Sequence, residues 1–335
     1  MGKINKPRRG STAYYPKKRA ESIVPKFRSL VMPKDSQDKV KVLNFYGYKV
    51  GMLHVMGLNK HKGSPYQNQK IAIPATVLEF PSITVYGLRF YNTIRTKKIC
   101  LKDFVFTSKL NKHMHRRITG INRAKEKGDL LKGMIDFFDA NKQNIKEVAL
   151  ICHTHPEKTT IGKKAPEVIE LYLSGKPEEQ LIFFKNQLGK DLEINDFISE
   201  GTFVDAKGIT IGKGFQGVIK RFGVKRRHHK SEKGVRKVGS IGPWHPPTIM
   251  STVPRPGQLG FFSRVQLNQK LLKVLDAEQA SPKQGWEGYG AVRNKVALIS
   301  GSIPGHVKRL VALRLAIRKP KDIKTDLSEI TNIVL

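Results

Sequence analysis

The segment DAKGITIGKGFQGVIKR, residues 205–221, decides how this chain is organised. Together with the residues before it, its first part is rich in β-branched and apolar residues and predicts a strand over 202–211. Its second part spaces glycines among lysines and arginines, a composition that offers little apolar surface for a core. A core strand that leads directly into such a segment predicts a folded β domain with a long basic extension.

A dinucleotide-binding reading of this segment is weak, although residues 212–217 match the pattern G-x-G-x-x-G. That fold needs a helix opening at the glycines and an acidic residue that ends a strand about 20 residues later. Here a run of cations follows, and Glu232, at the required spacing, lies in a polar basic run. Residues 208–213 are one residue short of a Walker loop and are followed by Gly214 instead of Ser or Thr. We therefore expect neither a cofactor nor a small-molecule substrate.

The charge of the whole chain points to a polyanionic partner. Its 335 residues contain 62 Lys and Arg against 27 Asp and Glu, for a formal charge of +35 and a pI near 10.2. Such a charge repels itself and requires a polyanion. No apolar run approaches the ~18 to 20 residues of a spanning helix, and no secretory signal is recognisable. Nucleic acid is thus favoured over a membrane.

Two concentrations of cations are predicted to be extensions. Residues 1–28 hold nine basic residues and one acid, Glu21, and residues 206–238 hold eleven basic residues and one acid, Glu232. Six glycines interrupt the second run and a seventh, Gly239, follows it, before a Pro- and Gly-rich stretch with Trp244 at 242–260. Glycine allows close approach of backbone to phosphate, and aromatic planes stack on unpaired bases. We expect residues 206–238 to contact RNA and to be ordered by it.

The rest of the chain reads mainly as β structure. Strands are predicted at 40–58, 71–80, 83–91, 94–106, 147–153, 168–173, 291–299 and 307–317, and a helix at 177–188 with Glu178 and Glu179 in its first turn. With 335 residues, about two domains are expected. The β-rich ends could close one barrel, with an α/β domain inserted between them.

Other candidate sites have little support. Cys100 and Cys152 are far apart and form no Cys-x-x-Cys pair, so neither a disulfide framework nor a zinc site is indicated, and a reducing cytoplasm fits. Cys152, His153 and His155 lie on one strand, which cannot direct all three side chains to one metal. His113 and His115, beside Arg116 and Arg117, are typical of a solvated or RNA-facing surface. No Ser-His-Asp or Cys-His arrangement is recognisable, so we expect no catalytic residue.

The same residues resemble a known family. The pattern Asp205-x-x-Gly208-x-Thr210-x-Gly212-Lys213-Gly214-x-x-Gly217-x-x-x-Arg221 is similar to the signature of ribosomal protein L three of the large subunit, in its archaeal form. Further matches, at 9–20, 47–52, 242–268 and 301–309, extend the resemblance over nearly the whole chain, most weakly from about 95 to 195. Leu53, where Thr is expected, and Ile198, where Phe or Leu is expected, depart from the pattern.

The resemblance implies a barrel of the translation-protein type interrupted by an α/β domain, with long basic N-terminal and central extensions. It divides the chain into an N-terminal arm (1–39), a first barrel part (40–94), an inserted α/β domain (95–200), a barrel strand with the start of the extension (201–222), a central Trp-bearing extension (223–264), and a second barrel part with a C-terminal tail (265–335).

The implied function is structural and not enzymatic. Such proteins bind 23S ribosomal RNA near its 3′ end early in assembly of the cytoplasmic ribosome, extend a loop tipped here by Trp244 toward the peptidyl transferase centre, and neighbour proteins L fourteen and L twenty-four e. The expected RNA-binding residues are Arg8, Arg9, Lys17, Lys18, Arg19, Lys207, Lys213, Lys220, Arg221, Lys225, Arg226, Arg227, His228, Lys230, Arg236, Lys237, Trp244, His245, Arg255 and Arg264.

Two alternatives remain open at this point. A free chromosomal or regulatory nucleic-acid-binding protein would share the charge, although it would not require two long extensions on a barrel. An RNA-modifying enzyme would need a cofactor pocket, which the glycine motif does not supply.

Overall fold

The structure is a computed structural model, and it describes residues 8–27, 30, 40–59, 64–95, 97–106, 108, 110–120, 129–318 and 330–334. The chain forms two compact units. We call residues 1–23 and 209–264 the arm–extension unit, and residues 24–208 and 265–335 the barrel–insertion unit. Parts of the predicted arm (1–7, 28–29 and 31–39, with Lys3, Lys6 and Arg28) and of the C-terminal tail (319–329 and 335) lie outside the described residues.

A closed ring of six antiparallel strands is the centre of the barrel–insertion unit. Around the ring the order is β1-β2-β12-β11-β8-β13, and β13 pairs again with β1, while β14 adds to β1. The bounds are β1 (Asn44–Leu58), β2 (Lys70–Phe80), β8 (Phe203–Ile209), β11 (Ser263–Leu275), β12 (Lys295–Ser300), β13 (Leu310–Leu315) and β14 (Ile330–Val334). Closure removes the free edges that an open sheet would leave. The prediction of a barrel built from both ends of the chain is confirmed.

Apolar side chains from all parts of the ring form its core. Phe45, Leu78, Leu298, Val311 and Leu313 are each fully buried. The strand β1 can pair with three others because it is fifteen residues long and changes register between Lys49 and Gly51. Such a bulge bends a strand and increases its twist, which allows a sheet to close.

The inserted domain is a second antiparallel sheet with helices. Its strand order is β4-β3-β5-β6, with β7 also on β3, and Gln180 of a helix accepts a hydrogen bond from the backbone N–H of Val148 at 3.1 Å. The bounds are β3 (Ile83–Ile94), β4 (Lys97–Val105), β5 (Glu147–Thr154), β6 (Val168–Tyr172), β7 (Asp191–Leu192), α1 (Leu130–Ala140) and α2 (Pro177–Gln187). The predicted helix at 177–188 is therefore present and ends at Gln187.

The insertion begins earlier than its expected start at residue 95. Strand β3 lies in the part assigned to the barrel, yet it pairs with β4, β5 and β7. The reason is that β2 and β3 are both apolar and largely buried, and burial alone does not say which sheet a strand joins. The chain thus leaves the barrel after Phe80, at the turn Pro81-Ser82.

The arm–extension unit has few regular elements. They are β9 (Gly212–Gln216), α3 (Val218–Phe222) and β10 (Gly257–Gly260), of which β9 and β10 pair antiparallel. The helix α3 ends at Phe222, and the next residue, Gly223, has a φ of +67°, a left-handed conformation that commonly ends a helix. Residues 223–256 contain turns and bends but no strand or helix, as expected for a long irregular extension.

Among the elements not predicted from the sequence are the thirteen-residue strand β11, the helices α1 and α3, and the β9–β10 pair. The first half of β11 is mainly polar, with the exposed residues Val265 and Leu267 as its only apolar side chains, and the strand is buried only from Leu271 onward. A short helix, α4 (Ala277–Ala280), follows it. Among the described residues, no helix combines the length and the apolar character needed to cross a bilayer.

Candidate RNA interface

Cations are concentrated in the arm–extension unit. Its 79 residues include 19 Lys and Arg and two acids, Glu21 and Glu232. The unit thus has a net charge of +17, about half of the total of +35, in about a quarter of the chain. Clustering of this kind is the electrostatic footprint of a nucleic-acid-binding surface.

Most of the twenty predicted RNA-binding residues are at the surface. Sixteen are exposed: Arg8, Arg9, Lys18, Arg19, Lys213, Lys220, Lys225, Arg226, Arg227, His228, Lys230, Arg236, Lys237, Trp244, His245 and Arg255. The other four, Lys17, Lys207, Arg221 and Arg264, are half-buried and make contacts within the protein.

Arg221 joins three segments of the arm–extension unit. Its guanidinium donates to the backbone carbonyls of Gln258 (2.9 Å), Arg255 (2.9 Å) and Lys17 (3.1 Å). A planar guanidinium can donate several hydrogen bonds in a fixed geometry, which a lysine cannot reproduce. Arg221 therefore holds the arm against both ends of the extension, and its donors are largely used inside the protein.

Lys17 packs on the aromatic pair formed by Tyr15 and Phe222. Its Nζ lies 5.3 and 5.5 Å from the two ring centroids, and the rings are stacked with centroids 6.4 Å apart. Burial lowers the pKa of Lys17, and the nearby charges of Arg264, Arg221 and Arg8 lower the pKa further. A phosphate bound among these cations would stabilise the charged form of Lys17, because it would offset their repulsion.

Two further predicted residues also have partners in their own units. Lys207, in the barrel strand β8, donates to the backbone carbonyl of Lys26 and lies 5.7 Å from the Phe27 ring centroid. Arg264 lies over the rings of Tyr14 and Phe262, at 4.7 and 5.0 Å. Both cations are half-buried and would contribute less to phosphate binding than an exposed cation.

The extension exposes aromatic side chains as well as cations. Trp244 is 87% exposed and Phe215 is 76% exposed, and the rings of His228 and His229 lie 4.2 Å apart. Unpaired bases stack on aromatic planes of this kind. Phe215 was not among the predicted residues, although an aromatic residue between Gly214 and Gly217 in a cationic run was a signal for it.

The geometry at the glycine motif differs from a dinucleotide site. Residues Gly212–Gln216 form the strand β9 rather than a loop between a strand and a helix. A helix does follow, but α3 has only five residues. A Cβ added at Gly260 would lie only 2.0 Å from the backbone carbonyl oxygen of Ile211. Gly260 thus allows the close pairing of β9 with β10, whereas a Cβ at Gly214 or Gly217 would meet no described atom within 4 Å.

The histidines and cysteines of the insertion are arranged as a structural cluster. Cys152 and His153 are buried, and the ring of His153 contacts those of Tyr86 and His155. His155 bonds Thr84 through Nε2 at 2.6 Å, and burial lowers its pKa. Within the described residues, no group of three or more His, Cys, Asp or Glu side chains could hold a metal ion.

Comparison with known proteins shows the family of this chain. The family model described as Ribosomal protein L3 matches residues 1–333. The large ribosomal subunit protein uL3 of Methanocaldococcus jannaschii is 40% identical over 334 residues, which cover 98% of this chain and 96% of that protein. The uL3 proteins of Methanococcus vannielii and Caldivirga maquilingensis are each 41% identical, over 335 and 327 residues. These cover 99% and 95% of this chain and 97% and 92% of those proteins.

All three relatives are archaeal proteins, in agreement with the archaeal form of the family that the sequence resembles. A match of this identity along the whole length leaves no part of the chain to a different family. The chain belongs to the family of Ribosomal protein L3.

Proposed function

We propose that this chain binds ribosomal RNA through the exposed cations of its arm–extension unit, near the 3′ end of the 23S RNA, and that it nucleates assembly there. As a family member it is a structural constituent of the large ribosomal subunit and not an enzyme. The observation that supports the RNA contact is the charge of +17 on 79 residues that contain two acids.

The arrangement of the unit supports this role. Arg221 joins the arm to the extension, so the cations of both segments are presented by one assembly. Residues 223–256 have no regular element of their own, and basic loops of this kind obtain their ordering free energy from the partner. The RNA and the extension would then order each other.

The extension is proposed to reach toward the peptidyl transferase centre, with Trp244 at its tip. Trp244 is exposed and lies between Pro243 and a pair of prolines, Pro246 and Pro247, which restrict the backbone on both sides of it. The catalyst at that centre is RNA, so the side chain would position its neighbours without reacting. Proteins L fourteen and L twenty-four e are the proposed protein neighbours.

The RNA contact is tested by the salt dependence of binding. We expect the logarithm of the affinity for protein-free large-subunit RNA to fall steeply with the logarithm of the salt concentration. For ten phosphate contacts the slope of this plot should be about −7 to −9. Replacement of Lys225, Arg226 and Arg227 by Gln should reduce that slope by roughly 2 to 3, since each lost contact is worth about 0.7 to 0.9.

The matched control is Lys132→Gln with Lys142→Gln, two exposed lysines of the insertion that pair with Asp129 and Glu178. Their slope should equal that of the parent chain. A parent slope near zero, or an equal loss in both variants, would remove the basis of the proposal.

A further inference from the structure

We infer that the inserted domain has an RNA contact of its own, at residues 111–117, which we call the basic turn. The ligand is the phosphate backbone of ribosomal RNA, bound by Lys112, Arg116 and Arg117. The inference rests on the proposed function, because it adds a second phosphate-binding surface to a protein already proposed to bind RNA. All residues involved belong to the barrel–insertion unit.

The basic turn is fixed to the sheet by a buried methionine. Met114 is 1% exposed and packs with Tyr86 of β3 and Ile151 of β5 in a small apolar cluster. The backbone N–H groups of Met114 and Arg117 donate to the carbonyls of Asn111 and Met114, at 2.9 and 2.8 Å. The turn is therefore built on the rigid sheet, unlike the irregular extension.

Polar side chains fix the turn a second time. Asn111 Oδ1 accepts from the backbone N–H of His113 at 2.8 Å, and Asn111 Nδ2 donates to His155 Nδ1 at 2.9 Å and to Glu157 Oε1 at 2.6 Å. His113 Nε2 also lies 2.9 Å from Glu157 Oε2. Because Asn111 and His113 are used in these internal contacts, the turn keeps its position while its other side chains remain available.

The 3₁₀ periodicity of the turn directs cationic side chains away from the sheet. Residues 114–116 form a 3₁₀ helix, in which side chains three residues apart lie on the same face. With Met114 facing the sheet, His115 and Arg116 lie on the two remaining faces, and Lys112 lies in the turn just before the helix. Arg117, three residues after Met114, returns to the side of the sheet, where it reaches Glu167. Lys112, His115 and Arg116 are all exposed, and the side chain of Arg117 is 46% exposed.

The charges of the turn are incompletely balanced by the protein. No acidic side chain lies within 4 Å of Lys112 or Arg116 among the residues that the structure describes. The guanidinium of Arg117 lies 3.4 Å from the buried carboxylate of Glu167, which also pairs with Lys163. By contrast, Lys132 and Lys142, on the same domain, each have an acid of their own. A fixed surface with excess positive charge is what a phosphate group requires.

The side chains favour contact with phosphates over contact with bases. The turn contains no Phe, Tyr or Trp, and its amide side chain, Asn111, is engaged in hydrogen bonds. Its one exposed imidazole, His115, is held by a hydrogen bond to the carbonyl of Lys112 at 2.8 Å. Contacts of this kind position a protein on RNA without reading its sequence. The turn would therefore fix the orientation of the insertion on the RNA.

The test uses the full chain and compares two double variants, Lys112→Gln with Arg116→Gln, and Lys132→Gln with Lys142→Gln. Both remove two exposed positive charges from the inserted domain. We expect the slope of log affinity against log salt for protein-free large-subunit RNA to fall by about 1.5 in the turn variant, for two lost phosphate contacts. The control variant should keep the parent slope, and thermal unfolding should show that both variants are folded.

The outcomes separate this inference from the proposed function. If the turn variant keeps the parent slope while the Lys225, Arg226 and Arg227 variant loses part of it, the basic turn does not bind RNA although the protein does. If the extension variant also keeps the parent slope, the proposed function itself fails. An unchanged slope together with loss of a neighbouring protein from reconstituted subunits would mean that the turn binds an acidic protein surface, and this too would overturn the inference.

Discussion

The two tryptophans show how one residue type can have opposite roles in this chain. Trp244 is 87% exposed. Trp286 is partly buried, donates from Nε1 to the carbonyl of Ala280 at 3.0 Å, and lies so close to Gly51 that a Cβ there would meet its ring at 2.6 Å. The side chain of Trp244 is accessible to a partner, whereas that of Trp286 packs against the core of the barrel–insertion unit.

This difference predicts opposite results for the two alanine variants. Trp244→Ala should change the free energy of unfolding by less than about 0.5 kcal/mol, as for an exposed side chain, yet alter tRNA accommodation or drug sensitivity at the catalytic centre of ribosomes that contain it. Trp286→Ala should lower the free energy of unfolding by roughly 2 to 4 kcal/mol, because it leaves a cavity. Denaturant unfolding measures both, and a Trp244→Ala chain that fails to fold would contradict the assignment of that residue to the extension.

At the scale of elements, two glycines of the signature segment are predicted to differ. Gly208 lies in the barrel strand β8, where a Cβ would come within 2.3 Å of the Pro304 carbonyl oxygen. Gly217 precedes α3 with φ −67°, and a Cβ there would meet no described atom within 4 Å. Gly208→Ala should therefore destabilise the barrel by about 1 to 3 kcal/mol through overpacking, whereas Gly217→Ala should stay within about 1 kcal/mol of the parent.

Thermal unfolding of the two glycine variants provides the measurement, with each serving as the other's control. The midpoint should fall by several degrees for Gly208→Ala alone. Equal midpoints would mean that the loop containing Pro304 can move aside, and that the close approach of β8 to this loop is not required for closing the barrel.

At the scale of the whole molecule, the stability of the free protein is expected to be limited by repulsion among its own charges. A net charge of +35 favours expansion through self-repulsion. Raising the KCl concentration from 50 to 500 mM shortens the screening length from about 14 to about 4 Å, so the unfolding midpoint of the free protein should rise. The Lys225, Arg226 and Arg227 variant should show a smaller rise, and a midpoint that falls with salt would show that attractive ion pairs outweigh the repulsion.

The sequence alone was sufficient for features that depend on local composition. The cationic segments, the barrel strands near both ends and the helix over 177–188 could be predicted because charge density, alternation and first-turn acids are properties of neighbouring residues. Sixteen of the twenty predicted RNA-binding residues are indeed exposed, while their contacts with RNA remain a prediction. The family was likewise indicated by the resemblance of the segment 205–221, and of the matches around it, to a known signature.

Only the tertiary structure decided which distant residues meet. It assigned β3 to the insertion rather than the barrel, because strand pairing depends on partners more than 50 residues away, such as Ala149 for Arg89. It showed that Arg221 is engaged by backbone carbonyls at 17, 255 and 258, and that Lys112 and Arg116 project from a turn fixed by Met114. Whether a cation is available to a partner depends on the acids and carbonyls that folding brings beside it, and sequence neighbours do not determine these.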